Sequence, residues 1–172
     1  MSTSNNIRNL LDIQDPNITF EGNCVNDGTY KGNACKYVDG KLTYDPICCK
    51  NCGIKSENNT ITKNGTQMSR ITLPITGTLP TYLRLKKQRF VCKSCNSSFT
   101  AETTIVKKNC FISENTNALV VIKSADAQPL ISIARDCSVS STTVQRVITK
   151  VARVYKPHHQ ALPKHLSFDE FK

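Results

Sequence analysis

Two cysteine pairs give the strongest chemical signal in the sequence: Cys49 with Cys52, and Cys92 with Cys95, each pair separated by two residues. Two intervening residues let a tight turn direct both thiolates at one ion, and two such turns complete a tetrahedron around zinc. Thiolates would fill all four positions, so no place is left for a catalytic water. The spacing therefore predicts structural zinc, with a redox pair as the alternative.

The roles of the remaining cysteines are predicted from how far each lies from these two pairs in the sequence. Cys48 is an alternative ligand to Cys49, which we favour because it repeats the spacing of the second pair. The others lack partners at ligand spacing and are predicted to be buried as small apolar side chains: Cys24, Cys35, Cys110 and Cys137. A second metal held by Cys24 and Cys35 is a less favoured alternative. Three histidines, His158, His159 and His165, show no ligand pattern and are predicted to be exposed.

The amino-acid composition favours some classes of protein and disfavours others. The 172 residues are 38% hydrophobic and 6% aromatic, without Trp, which disfavours a single large core. A net charge of +10 favours a polyanionic partner. Nine cysteines are an odd number, which disfavours a complete disulfide framework. Without a signal peptide or a stretch of about 20 apolar residues, we expect no membrane association and a reducing, cytoplasmic location.

These features predict an α+β fold in which a small β-rich four-cysteine zinc ribbon precedes a three-helix helix-turn-helix domain. Residues 1–45 form a lead segment with short strands at 18–20 and 41–44 and turns at Asn26-Asp27-Gly28 and Asp39-Gly40. Residues 46–112 form the ribbon, with a long hairpin inserted between the cysteine pairs. Residues 113–156 form the helical domain, and residues 157–172 a linker and a first strand.

Apolar residues at helical spacing place the first two helices of the 113–156 domain. Ser113 is a candidate N-cap for a helix that extends to Ala125, with Leu119 and Ile122 facing inward. Pro129 suits the first turn of a second helix, which ends near Asp136. Its buried positions are predicted to be Leu130, Ile133 and Ala134.

The third helix carries the candidate nucleic-acid contacts. It follows a turn at 137–139, is capped by Ser140, and is predicted to bury Val144, Val147, Ile148 and Val151. Its opposite face carries small, polar and basic residues: Ser141, Thr142, Gln145, Arg146, Thr149, Lys150 and Arg153. Ala134, Val139, Val144 and Val147 have the spacing of helix-turn-helix proteins, although Ser138 replaces the usual glycine. An amphipathic hairpin with a solvated polar face is the alternative.

The third helix is therefore predicted to bind DNA in the major groove. Gln145 and Arg146 are the candidates for reading base edges, such as those of adenine and guanine. The remaining contacts would be made mainly to phosphates, which position the protein without reading sequence: Ser141, Thr142, Lys150 and Arg153.

The order of these motifs resembles that of the ISL-three family of insertion-sequence transposases. Four segments carry the resemblance: Cys49–Gly53, Arg89–Cys95, Ile133–Val147 and Leu162–Phe171. The resemblance implies a zinc-binding domain, a helix-turn-helix that binds terminal inverted repeats, and an RNase-H-like DDE catalytic domain. Asp169 matches the first catalytic aspartate, and the other two carboxylates are expected beyond Lys172.

The resemblance leads us to expect no strand cleavage by this chain. Such chemistry uses two metal ions, Mg or Mn in a full-length relative, held by converging carboxylates. Asp169 and Glu170 are neighbours whose side chains would point to opposite faces of a strand.

Expected partners are double-stranded DNA, a second copy, or a full-length transposase. Alternatives are a stand-alone transcriptional regulator, an active recombinase completed by a partner chain, or a zinc ribbon for RNA or protein contacts.

Overall fold

The computed structural model describes residues 3–154 and confirms the α+β class. One helix, α1 (Thr3–Leu10), precedes a five-stranded sheet, and three helices follow the sheet. The strands are β1 (Ile18–Tyr30), β2 (Asn33–Leu42), β3 (Ile61–Thr76), β4 (Leu79–Cys92) and β5 (Ser98–Thr100). The later helices are α2 (Glu114–Ser124), α3 (Leu130–Asp136) and α4 (Ser141–Val154).

Two antiparallel hairpins build the sheet, whose strand order is β1-β2-β4-β3, with β5 paired to β4. The β3–β4 hairpin lies between the two cysteine pairs, which confirms the predicted long insertion. The two hairpins join through parallel pairing of β2 with β4, from Lys36 opposite Thr81 to Leu42 opposite Lys87. The sheet thus crosses residue 45, where the sequence placed a domain boundary.

The turns predicted around Gly28 and Gly40 are wrong, because both glycines lie inside strands. The β1–β2 hairpin turns instead at Lys31-Gly32, where both residues have positive φ. Both strand glycines make room for aromatic rings. A Cβ at Gly28 would lie 2.8 Å from the ring of Tyr37, and one at Gly40 would lie 3.1 Å from the ring of Phe20. These glycines serve packing rather than chain reversal.

Two separate apolar clusters stabilise the fold. The larger lies on the sheet and includes the buried Leu83, Leu85 and Phe90. The smaller lies among the last three helices and consists of Val120, Ile133, Ala134, Cys137 and Val144. Hydrogen bonds at one residue of β3 connect the two parts: the N–H of Ser113 and the hydroxyl of Thr116 donate to the Thr72 carbonyl, at 3.0 and 3.1 Å.

The predicted N-cap at Ser113 is confirmed, since its hydroxyl accepts a hydrogen bond from the Thr116 N–H. The prediction that Ile122 faces inward is wrong, because this side chain is 66% exposed. Thr116 and Val120 define the buried face of α2, and Ile122 lies two residues, about 200°, from Val120 around the helix. Leu119 packs partly against the small cluster.

Two further predicted core positions are also exposed. Leu130 is 41% exposed, since it begins α3 and the buried residues of that helix are Ile133 and Ala134. Val151 is 43% exposed, whereas Val144 is fully buried. The apolar stripe of α4 therefore extends past the end of the small cluster.

Candidate metal centre and helical interface

The four predicted zinc ligands lie together in the structure. The sulfur atoms of Cys49, Cys52, Cys92 and Cys95 are all within 4.8 Å of one another. The Sγ atoms of Cys49 and Cys95 are 3.7 Å apart, and those of Cys52 and Cys92 are 3.8 Å apart. A tetrahedral zinc with Zn–S bonds of about 2.3 Å requires sulfurs about 3.8 Å apart. The thiols could therefore hold a metal ion such as zinc.

Local backbone geometry positions the first cysteine turn. The N–H of Cys49 donates to the Ile54 carbonyl at 2.8 Å, and the Gly53 N–H donates to the Cys49 carbonyl at 3.0 Å. Gly53 has a φ of 73°, which glycine adopts without steric cost. Cys49 is buried, whereas Cys48 is exposed and lies outside the cluster. Cys49, rather than Cys48, thus faces the other three thiols.

The second turn follows directly from the end of β4. Cys92 is the last residue of that strand, and its N–H donates to the Ser97 carbonyl at 2.9 Å. The Ser97 hydroxyl lies 2.9 Å from the sulfur of Cys95 and 3.5 Å from that of Cys49. Ser97 was not among the residues that the sequence predicted to support the metal site. A hydroxyl two residues after a cysteine pair is the signal that could have identified it.

Hydrogen bonds give the thiols unequal acidity. The pKa of Cys49 is lowered to about 6, mainly by the backbone N–H of Cys52 and next by the hydroxyl of Ser97. Hydrogen bonding to Ser97 also lowers the pKa of Cys95. The backbone N–H of Ile54 lowers the pKa of Cys52, but the Cys95 thiol and burial outweigh it and raise this pKa to about 12. Thiolate character thus concentrates on Cys49 and Cys95, and metal binding displaces the remaining protons.

The other cysteines form no second cluster. Cys24, Cys35 and Cys137 are buried, as predicted. The prediction for Cys110 is wrong: it is exposed, in a turn closed by a hydrogen bond from its N–H to the Lys107 carbonyl at 3.0 Å. Within residues 3–154, the four-cysteine cluster is the only group of three or more potential metal ligands.

All six predicted DNA-contacting residues lie on the solvent side of α4. Each is exposed: Ser141, Thr142, Gln145, Arg146, Lys150 and Arg153. The helix contains no Asp or Glu. Across the part of the chain that the structure describes, no carboxylate lies within 4.0 Å of the three cations of α4. This face is therefore cationic and open to an anionic partner.

The turn between α3 and α4 is tightly folded. The Val139 N–H donates to the Ala134 carbonyl at 3.0 Å, and Ser138 adopts a positive φ of 54°. The hydroxyl oxygen of Ser138 is buried and has no hydrogen-bond partner among the described residues. Ser140 caps α4 as predicted, since its hydroxyl accepts a hydrogen bond from the Thr143 N–H at 3.2 Å.

Positive charge extends beyond α4. Lys107 lowers the pKa of Lys150, because a neighbouring ammonium disfavours a second positive charge, and Glu114, which pairs with Lys107 at 3.6 Å, partly offsets this effect. The segment that precedes α2 thus adds a cation beside α4 that is already paired with a carboxylate.

Several predictions concern residues outside the described range. They include the catalytic candidate Asp169, its neighbour Glu170, the three histidines, and the segment Leu162–Phe171. No helix within residues 3–154 has both the length and the apolar character needed to cross a bilayer. Comparisons of the chain with protein-family models, curated proteins and solved structures found no match.

Proposed function

We propose that this chain binds duplex DNA through α4, with α3 and α4 acting as a helix-turn-helix, and that structural zinc stabilises the fold. The observation that carries the proposal is the exposed face of α4, which combines small, polar and cationic residues and includes no carboxylate. A face of this kind complements the base edges and phosphates of a major groove.

The dimensions of α4 suit this role. An α-helix is about 10–12 Å across with its side chains, close to the roughly 12 Å width of the major groove. The small residues Ser141 and Thr142 begin the helix and allow its N-terminal end to approach the bases closely. Gln145 and Arg146 follow one turn later, where their longer side chains would contact adenine and guanine edges.

The other cations of α4 would bind the DNA backbone. Lys150 and Arg153 lie one to two turns beyond Arg146, and both are exposed. Phosphate contacts of this kind raise the affinity for any sequence and make binding depend on salt.

Zinc would act through the sheet rather than at the DNA. The four thiols connect the end of β4 to the 47–57 segment, which buries little apolar surface of its own. Strand β3 is paired to β4 along most of its length and holds α2 through Thr72. A rigid sheet would thereby support the helices that present α4.

We further propose that the chain acts in transposition, by binding the terminal inverted repeats of an insertion sequence. This finer assignment is supported by the motif order that resembles ISL-three transposases. Three of its four segments fall within residues 3–154: the two that carry the paired cysteines, which lie together, and Ile133–Val147, which includes the turn between α3 and α4. Protection of element ends in a footprint would support this role, whereas protection of a promoter operator would indicate a transcriptional regulator.

The test of DNA recognition is selection of bound duplexes from random DNA, followed by two substitutions in α4. Arg146→Ala should cost about 1–3 kcal/mol on the selected duplex and relax the preference at one base position. Lys150→Ala should weaken binding to selected and random duplexes alike. Equal losses on both kinds of DNA for Arg146→Ala would reject its role as a base-reading residue.

A further inference from the structure

A cleft separates the turn of the β1–β2 hairpin and strand β3 from the α3–α4 turn. Its volume is about 710 Å³. Its charged lining residues are Lys31, Arg70 and Arg135, and hydroxyl groups of the α3–α4 turn also line it: those of Ser138, Ser140 and Thr143. The cleft thus brings together side chains from both parts of the fold.

The charge of this cleft is entirely positive. Lys31, Arg70 and Arg135 line it, and no Asp or Glu does. All three cations are exposed, and within residues 3–154 none lies within 4.0 Å of a carboxylate. Cations that no carboxylate neutralises are available to an anionic partner.

The central cation is already oriented. The guanidinium carbon of Arg70 lies 3.7 Å from the ring centroid of Tyr30, and an Arg70 N–H donates to the Tyr30 hydroxyl at 2.6 Å. The ring of Tyr82 lies 5.7 Å from the same guanidinium and completes its aromatic surroundings. An arginine held in this way loses less side-chain freedom when it binds a phosphate.

The cleft adjoins the end of α4 that would enter the DNA. Ser140 and Thr143, which form the N-terminal cap of α4, line it directly. The buried hydroxyl of Ser138 also lines it, without a hydrogen-bond partner in the described chain. Phosphates border the major groove on both sides, and the exposed Lys150 and Arg153 provide positive charge further along α4.

We infer that Lys31, Arg70 and Arg135 form a second DNA-contacting surface that binds the phosphate backbone beside the groove read by α4. This inference rests on the proposed function and extends it to the sheet. The hairpin of residues 18–42 thereby acquires a role in DNA binding. The surface positions the duplex and does not select its sequence.

The test uses the full chain, Lys31→Gln, Arg70→Gln and Arg135→Gln variants, and duplexes of equal length, one selected by the wild-type protein and one random. Lys41→Gln is the matched control: Lys41 is also exposed and lies on β2, seven residues, or about 23 Å along the strand, from Ala34 in the cleft. Because Lys31 and Arg135 make no ion pair, their double variant serves as the test if Arg70→Gln disturbs the fold.

Each cleft substitution should weaken binding to both duplexes equally. It should also reduce by about one the salt slope, which is the slope of log affinity against log salt concentration. When salt rises from 50 to 200 mM, the fold loss of affinity of each variant should therefore be about 3 to 4 times smaller than that of the wild-type protein. Lys41→Gln should keep the wild-type slope. A neutral methylphosphonate at the contacted phosphate should reproduce the effect of Arg70→Gln and add little to it.

Two outcomes would overturn the inference, and they are distinguishable. If cleft variants keep the wild-type salt slope while Arg146→Ala relaxes base preference, the cleft binds no phosphate and the proposed function of α4 stands. If the wild-type protein prefers no duplex over heparin, the proposed function fails, and the inference fails with it.

Discussion

Replacing one ligand of the four-cysteine cluster should remove the metal and much of the stability of the sheet. We choose Cys95→Ser, because the sulfur of Cys95 lies 3.7 Å from that of Cys49 and completes the pair from the second turn. Serine keeps the shape of the side chain but is a poor ligand for zinc. Cys48→Ser is the matched control, since Cys48 is exposed and lies outside the cluster.

The expected magnitude follows from metal linkage. Structural zinc in small folds binds with an apparent free energy of about 10–16 kcal/mol, against a total stability of about 5–15 kcal/mol for a domain. At free zinc a thousandfold above Kd, binding adds about 4 kcal/mol to the free energy of unfolding. Ile47 and Ile54 are 86% and 38% exposed, so apolar packing in the first turn compensates little for the loss. Cys95→Ser should therefore lose about 4 kcal/mol at that zinc concentration.

The assay combines native mass spectrometry, which counts zinc per chain, with urea unfolding at buffered free zinc. Wild-type protein and Cys48→Ser should each bind one zinc, and their free energies of unfolding should agree within about 0.5 kcal/mol. Cys95→Ser should bind none and unfold at lower urea. Retention of one zinc and of the wild-type urea midpoint by Cys95→Ser would refute the assignment. Loss of zinc from Cys48→Ser would show that Cys48 is a ligand.

Three further substitutions test the fold, each by its free energy of unfolding in urea. Ser113→Ala removes the α2 cap and should cost about 1–2 kcal/mol; an unchanged midpoint would mean that the cap contributes nothing. Ser138→Gly should raise the free energy of unfolding by about 0.5–1 kcal/mol. The reason is that φ is 54° at this position, and this left-handed conformation costs residues other than glycine about 1–2 kcal/mol. A lower free energy of unfolding would contradict this explanation. Gly28→Ala should cost about 1–3 kcal/mol, because its Cβ would lie 2.8 Å from the Tyr37 ring. Gly22→Ala is its control, since a Cβ at Gly22 meets nothing within 4 Å, and equal effects would contradict the steric explanation.

The features that the sequence predicted well are those with local causes. Cysteine spacing identified the cluster, because two residues between ligands define a turn regardless of the surrounding fold. The cap at Ser113 was identifiable for a similar reason, since its hydroxyl bonds an N–H only three residues later. The existence of α3 and α4 followed from apolar periodicity within each helix.

The features that the sequence did not predict depend on distant partners. Parallel pairing of β2 with β4 joins residues about 45 positions apart in the chain, and no short pattern specifies it. Asp39-Gly40 has the composition of a turn, yet Asp39 accepts two hydrogen bonds from Arg84 on the adjacent strand. Which face of α2 is buried likewise depends on its packing against other elements.

The most direct test of the central claim is site-specific cross-linking from α4 to a DNA base. A photoreactive amino acid at Gln145, which is exposed on α4, should cross-link to a base of the selected duplex. The same group at Ile47, 86% exposed in the first cysteine turn, should not. Cross-links from Ile47 without any from Gln145 would contradict the account, because DNA would then bind at the cysteine turn rather than at α4.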